Sequence, residues 1–396
     1  MSEQQTLLLV LALIYGGECA FWLGRNDVLF SAWVGKAWRF GVGGPLLPND
    51  RGGFRLAPIL PPLGTSLVAR VMPLSLSPDG ALAWTGVSLH PDGRPPQPGG
   101  FARFEDMTLI EREGRKVFLN GALFLKAPTS HHATHIAREL AAQSKQSREQ
   151  RAEAQREWLR RHFDADLVKR RLEEARIWQR RLRCAGLVLF ASLFVALPVA
   201  MAVVGLAHCW PIVLAALLVQ TGTQAFLFAR AHQSLFGERR DADTFTHLLT
   251  MLVAPPAAVR AHDCLTMNLG GTAHPLAVAR AVCGPGEFRA LAGLVLRDLV
   301  YPRLPQFSSS DEAAVATETR WRAALLAGVE NLLRNAELEP AALLAAPAPS
   351  EPCNRSHCPR CLAQFITDSG RCADCGGREL VAFRVEGGVA ADARRS

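Results

Sequence analysis

Four cysteines near the carboxyl end are the residues best placed to do chemistry. They lie in CPRCLAQFITDSGRCADC, residues 358–375, as the pairs Cys358/Cys361 and Cys372/Cys375. Two residues between thiols let both sulfurs of a pair reach one tetrahedral ion at about 2.3 Å. Ten residues separate the pairs. That is shorter than the roughly 15–20 of the commonest four-cysteine spacing, and it suits a two-strand hairpin around the compact loop LAQFITDSGR. Gly376-Gly377 follow the second pair, where a tight turn is expected, and ELVAF supplies a third strand.

This pattern resembles a short zinc ribbon over about residues 356–384. The resemblance implies that Cys358, Cys361, Cys372 and Cys375 ligate one structural Zn²⁺. With all four positions filled by protein, no site is open to water or substrate, so the ion holds a fold and does not catalyse. Cys353 and His357 are spare ligands at most. A four-thiolate tetrahedron also accepts iron, so a rubredoxin-like site is the chemical rival. Zinc ribbons bind nucleic acid, proteins or only their own domain. Here Arg360, Arg371, Arg378 and Arg384 are offset by Asp368, Asp374 and Glu379, and only Phe365 and Phe383 offer rings. Nucleic acid prefers a basic stripe with stacking groups, so a protein contact is expected.

Other chemistry is sparse. His131 and His135 sit four apart, a spacing that can share a metal on a helix, but no HExxH glutamate and no third ligand accompany them or His132. They read as residues of a first helical turn. No phosphate-binding loop, nucleophile elbow or dinucleotide fingerprint occurs. An enzyme would need a pocket gathering His232, His247, Asp263 and Arg280. The other cysteines, Cys19, Cys184, Cys209, Cys264 and Cys283, are scattered among apolar neighbours and read as small buried hydrophobes, not as a disulfide framework. Thiolate ligation favours a reducing cytoplasm.

The elements that position the ribbon begin with a membrane anchor. The chain has 396 residues, a formal net charge of +8 and 49% hydrophobic residues. That apolar content puts a membrane class first. Residues 184–229 carry no charge, enough for two crossings at roughly 20 residues each. The turn is expected at Ala207-His208-Cys209-Trp210-Pro211. RIWQRRLR (176–183) and Arg230, Arg239 and Arg240 flank the hairpin, which places both flanks in the cytoplasm. Residues 5–24 form a third expected crossing, uncleaved because MSEQQ lacks a basic leader. Its Glu18 either snorkels, pairs with a neighbour such as Arg25, or marks a pathway.

Residues 25–130 hold 12 of the 25 prolines, which separate short β-prone runs: 54–60, 66–77, 81–89, 101–112, 116–120 and 122–127. Asn120-Gly121, Glu113-Gly114 and Ser77-Pro78-Asp79-Gly80 are turn signals. Strands closed by one helix, over about 54–142, resemble a pleckstrin-homology-type barrel, which implies a binding module. Residues 131–183 read as a long basic helix, with 14 Lys or Arg against 8 Asp or Glu from 138 onward. It is an orientation signal and stalk, or it lies on anionic lipid. Short helices are expected over 230–338, the last opening on a capping box from Ser309 to Glu312. An Ala/Pro linker (339–352) isolates the ribbon (353–384), and 385–396 is a disordered tail.

The expected fold class is thus mixed: an integral membrane protein with about three transmembrane helices, a small amino-terminal β-rich cytoplasmic module, a helical cytoplasmic region and a carboxy-terminal zinc ribbon. The expected function is an inner-membrane scaffold or adaptor of bacterial type, in contact with lipids and with a cytoplasmic protein. A membrane-tethered nucleic-acid-binding protein and a membrane enzyme are the alternatives.

Overall fold

The structure is a computed structural model and describes residues 3–22, 27–31, 36–39, 66–70, 72–85, 97–127, 130–236, 242–270, 273–302 and 309–383. The tail at 385–396 and the run at 54–60 lie outside the described residues, as do the side chains of Glu18 and Asp263.

The chain opens with α1 (Glu3–Trp22), then β1 (Asp27–Ser31), β2 (Lys36–Arg39) and β3 (Ser66–Arg70). β1 and β2 fall in a Gly- and Pro-rich stretch where no strand was expected. Two hairpin sheets follow: β4 (Leu74–Ser77), β5 (Gly80–Thr85) and β6 (Gln97–Arg103), then β7 (Ile110–Glu113), β8 (Lys116–Leu119) and β9 (Ala122–Lys126). Their turns are where the residues demand them. Asn120 and Gly121 both take positive φ, 51° and 80°, the geometry an Asn-Gly hairpin turn requires. At Gly80 a Cβ would lie 2.5 Å from the Ala102 carbonyl oxygen, so only glycine fits between β4 and β6. The described amino-terminal strands form three separate antiparallel sheets, β2-β1-β3, β4-β5-β6 and β7-β8-β9. They do not close into the single barrel that the element order suggested.

The stretch expected as one helix over 131–183 is divided among α2 (Ser130–Ser144), α3 (Arg148–His162) and α4 (Ala165–Ala191). Local capping causes both breaks. Ser147 and Gln150 form a reciprocal capping box, and the Asp164 side chain accepts from the Leu167 N–H. Each satisfies orphan donors of a new helix better than continuation would. From α4 the chain runs through a π-helical turn (Ser192–Ala196) into α5 (Leu197–Val204), giving one helical run Ala165–Val204. The widened turn precedes Pro198, where an ordinary helix would meet the proline ring. Gly205, at φ 80°, reverses the chain into α6 (Leu206–Phe236). The reversal therefore precedes the expected 207–211 turn, and Pro211 sits inside α6. Ala165–Val204 and Trp210–Phe236 are long and apolar enough to cross a membrane, while α1 offers a shorter apolar stretch, Gln4–Tyr15. Between the hairpin arms, Gln224 Nε2 donates to the Leu182 carbonyl and Gln220 Nε2 to Ser192 Oγ, both at 3.0 Å.

Next come α7 (Ala242–Val253), α8 (Pro255–Ala258), α9 (Ala261–Gly270), α10 (Pro275–Val282), α11 (Pro285–Val300), α12 (Glu312–Arg334) and α13 (Pro340–Leu344). The N-cap of α12 is Asp311, which accepts from the Ala313 and Ala314 N–H groups. Ser309, expected in that role, instead accepts from the Asp311 N–H. The chain ends in β10 (Ser356–His357), β11 (Gln364–Phe365), β12 (Arg371–Cys372), β13 (Arg378–Glu379) and β14 (Val381–Ala382).

Two cores result. In the larger, Leu74, Leu76 and Phe104 of the amino-terminal sheets pack with Trp158 of α3, Leu276 of α10, Leu296 of α11 and Leu333 of α12. The strands β4–β9 and the helices α10–α12, expected in two modules, thus share an interior. A buried polar seam fixes their register. Ser75 Oγ donates to Glu318 Oε2 (2.6 Å) and accepts from Trp84 Nε1 (2.7 Å), and Ser77 Oγ meets Thr317 Oγ1 at 2.7 Å. Gln155 Nε2 donates to the Ser77 carbonyl and to Gln143 Oε1, both at 2.9 Å. The second core joins Tyr15, Leu182, Leu189, Phe228, Met251 and Leu265. Helix α4 belongs to both, with Val168 and Ala175 in the first and Leu182 and Leu189 in the second.

Candidate metal centre

The ribbon is built from two matched knuckles on short strands. β11-β10-β14 form one small sheet and β12-β13 a second. The residue after each pair turns the backbone sharply: Leu362 at φ 61° and Gly376 at φ 73°. In the first knuckle the Leu362 N–H donates to the Cys358 carbonyl (2.9 Å). In the second, the Gly377 N–H donates to the Cys372 carbonyl (2.9 Å). These turns swing the second thiol of each pair back toward the first.

The result is one cluster. The sulfurs of Cys358, Cys361, Cys372 and Cys375 all lie within 4.8 Å of one another. Four sulfurs at about 2.3 Å from a tetrahedral ion would stand about 3.8 Å apart, and Cys361 Sγ is 3.7 Å from Cys372 Sγ. The described cysteines are free thiols, and Cys358, Cys372 and Cys375 are buried. The donor set, the spacing and the burial fit a metal ion held by four thiolates. The four thiols crowd into hydrogen-bond reach of one another, which splits their acidities. Hydrogen bonds from Cys361 and Cys375 hold Cys358 below its ordinary value, and the shared bond to Cys358 holds Cys361 above its own. A divalent cation favours the thiolate at all four positions and releases the protons they still hold.

The remaining candidates are elsewhere. Cys353 is exposed, with its thiol 3.5 Å from Glu351, and His357 stacks on Phe383 at 5.1 Å. Neither joins the cluster. His135 Nε2 accepts from Trp158 Nε1 (3.3 Å), and His131 packs edge-on against Phe236. They share no metal geometry with a third ligand among the described residues. His232 and His247 both flank Phe228, and Arg280 stacks over Phe288. Of the scattered cysteines, Cys264 is buried, Cys283 half-buried and Cys184 exposed. Burial pushes the Cys283 thiol up to about 12.

Sequence reading missed how the ribbon is held. Arg360, between the cysteines of the first knuckle, is buried. Its Nη2 donates to Asp298 Oδ1 of α11 at 2.5 Å, and its Nη1 lies 3.9 Å from Cys375 Sγ. Burial alone would disfavour the charge on Arg360. Asp298, helped by Cys375, more than offsets this and raises its pKa. Arg378 donates to the Pro302 carbonyl at 2.5 Å and stacks over Tyr301 at 5.7 Å. Arg322 donates to the carbonyls of Asp298 and Leu299. Helix ends leave carbonyls without partners and carry partial negative charge, so the end of α11 is a natural seat for guanidinium groups. The linker is tied down as well: Arg297 Nη1 donates to the Leu343 carbonyl (2.8 Å). The ribbon is thus docked on the body and is not an isolated tail.

No protein-family model, no curated protein and no solved structure matches this chain.

Proposed function

We propose that the protein is an adaptor anchored in a membrane of bacterial inner-membrane type. Its body and a zinc-loaded ribbon face the cytoplasm and receive a protein partner. The observation that carries this reading is the attachment of the ribbon. One side is clamped to α11 through Arg360 and Arg378. Its outer elements leave Ile366 68% and Val381 47% exposed, apolar side chains outside the clamp and open to a partner. A closed four-thiolate ion stabilises such a surface without doing chemistry on it. Zinc fits the donor set, and iron is the rival that elemental analysis separates.

The anchor is α4–α5 and α6, with α1 as a third crossing. Leu7 and Leu11 pack with Leu197 and Met201 near the hairpin turn, and Tyr15 meets Phe190 and Phe194 at 6.0 and 5.9 Å. Helix α1 therefore runs antiparallel to α4–α5, its amino end beside the turn. Exposed Val195, Val199, Val203, Ile212 and Val219 suit lipid. Helix α7, expected in the cytoplasm, packs on α6 and exposes Phe245, Leu249 and Val253. It fits a short helix dipping into the same leaflet before Pro255 and Pro256 turn the chain back. The protein-partner reading is preferred to the nucleic-acid alternative because two of the four arginines around the knuckles, Arg360 and Arg378, are engaged by Asp298 and the Pro302 carbonyl.

A photoreactive residue placed at 366 or 381 in native membranes tests the adaptor reading. The expected result is a protein adduct of defined mass that is lost in Cys358→Ser/Cys361→Ser. No adduct, or one indifferent to that double change, would remove the ribbon from partner binding.

A further inference from the structure

A groove between α4 and α6 contains two aromatic–arginine pairs. Trp178 and Arg181 project from α4, and Phe226 and Arg230 from α6, with Gln233 and Ser234 completing the wall of a cavity of about 390 Å³. The Arg181 guanidinium lies 5.3 Å from the Trp178 ring centre, and that of Arg230 lies 5.5 Å from Phe226. Each pair sits at helical spacing, three residues apart on α4 and four on α6, so ring and guanidinium share a face. Stacking on a ring holds a guanidinium in place while leaving its N–H edge available. No carboxylate lines the cavity.

Its depth is defined by the chain itself. Arg181 lies three residues before the uncharged run of 184–229, and Arg230 is the first residue after it. On the membrane reading above, on which this inference rests, both stand at the level of the cytoplasmic headgroups, where Trp and Arg concentrate. The cavity combines a cationic rim, an amide, a hydroxyl and an apolar wall of Trp178, Phe226 and Leu227. Two guanidinium edges match the oxygens of a phosphate, and the apolar wall matches the first carbons of acyl chains. Basic pockets between membrane helices bind anionic headgroups in this way.

We propose that this groove binds the phosphate headgroup of an anionic glycerophospholipid of the cytoplasmic leaflet, with Arg181 and Arg230 as its charged contacts. The occupant is a lipid and not free phosphate because the lining is more apolar than polar and lies at the boundary between charged and uncharged helix.

The test uses the full chain in three forms: wild type, Arg181→Gln/Arg230→Gln, and a charge-matched control on the same helix, Arg176→Gln/Arg180→Gln. Carbonate extraction of membranes comes first. Release of the wild type into the soluble fraction would overturn the membrane reading, and this proposal with it. If the wild type stays in the pellet, each form is purified in mild detergent. Native mass spectrometry then measures retained phosphatidylglycerol against phosphatidylcholine. Thermal melts are recorded with each lipid and with inorganic phosphate. The wild type and the control should retain phosphatidylglycerol preferentially and melt higher in its presence. Losing two basic contacts at a lipid surface corresponds to roughly a thirty-fold fall in retention for Arg181→Gln/Arg230→Gln. Equal retention of both lipids by the wild type would overturn the proposal. So would an equal fall in the control, or a melting shift that inorganic phosphate reproduces.

Discussion

Replacing Asp298 by Ala is the sharpest test of how the ribbon is held. The pair it forms with Arg360 is asymmetric: the Arg360 side chain is 6% exposed and that of Asp298 31%. An exposed ion pair contributes about 0–1 kcal/mol, and breaking a fully buried pair costs about 3–5 kcal/mol. One buried and one part-exposed partner place the loss between these limits, near ~2 kcal/mol. The lower half of that interval is favoured because Arg360 keeps the Cys375 sulfur 3.9 Å from its Nη1. About 2 kcal/mol is roughly a thirty-fold shift in the docked-to-undocked ratio. The ion itself is not touched, so bound metal should stay at wild-type stoichiometry. The assay is limited proteolysis of the Ala/Pro segment 345–352, read beside metal content. Cleavage should accelerate by about the calculated factor when opening is fast relative to cutting. Arg360→Ala should produce the same undocking, and the double change should add little to either single change. Unchanged cleavage in Asp298→Ala would show that the pair does not hold the ribbon. Loss of metal in Asp298→Ala would instead make docking and metal binding one event.

Other outcomes follow from the same geometry. Elemental analysis should find one zinc per chain in the wild type and none in Cys372→Ser, with hydrogen exchange rising over 356–382 when the metal is stripped, because a ribbon this short is folded by its ion. Leu362 holds φ 61° without being glycine; Leu362→Gly should relieve about 1 kcal/mol of backbone strain and slow metal release to a chelator. Gly328→Ala gains about 1 kcal/mol of helix propensity. Its new Cβ, however, would lie 2.5 Å from Phe163 Cε2, and Phe163 is pinned against His274 at 4.6 Å. Overpacking of about 1–3 kcal/mol should win, seen as a lower melting temperature. His274 is fully buried, and burial, then His162, holds its pKa well below the ordinary value; His135 is lowered by burial as well. Below about 6.5 the unfolded chain takes protons that these sites refuse. Stability is therefore present above that pH and is lost as pH falls toward the folded values. His274→Asn, which keeps an N-cap acceptor, should flatten the dependence in melts between pH 7 and 5.

What could be read from the residues was local. Two C-x-x-C pairs specify their own knuckles, and Asn120-Gly121 specifies its own turn, because the deciding atoms lie within a few residues. The uncharged run likewise declares two long apolar helices from composition alone. Some missed features were local too. Ser147 with Gln150, and Asp164, are ordinary helix-start signals, outvoted by the absence of Gly and Pro over 136–183. Polarity near the middle of the run, with Trp210 and Pro211, points to a turn over 207–211, whereas the residue that takes φ 80° is Gly205. The larger misreadings were of a different kind. Ser77 meets Thr317 across 240 residues, so the shared core of the amino-terminal sheets and α12 has no trace in either segment.

Arg360 makes the same point at the candidate site. Within CPRC it reads as one of four arginines offset by acidic residues around the knuckles. Its role is set by Asp298, 62 residues earlier, and by the carbonyl-rich end of α11. A buried guanidinium is costly without an anionic partner, and Arg360 has two groups to turn to, Asp298 and the Cys375 sulfur. The geometry thus couples two things that the sequence keeps apart: the charge state of the cysteine cluster and the seating of the ribbon on the body. A four-thiolate cluster around a divalent ion carries two net negative charges, one of which Arg360 can offset. A ribbon without its ion offers Arg360 a weaker partner at Cys375. Loss of metal should therefore loosen the α11 contact even where the strands persist.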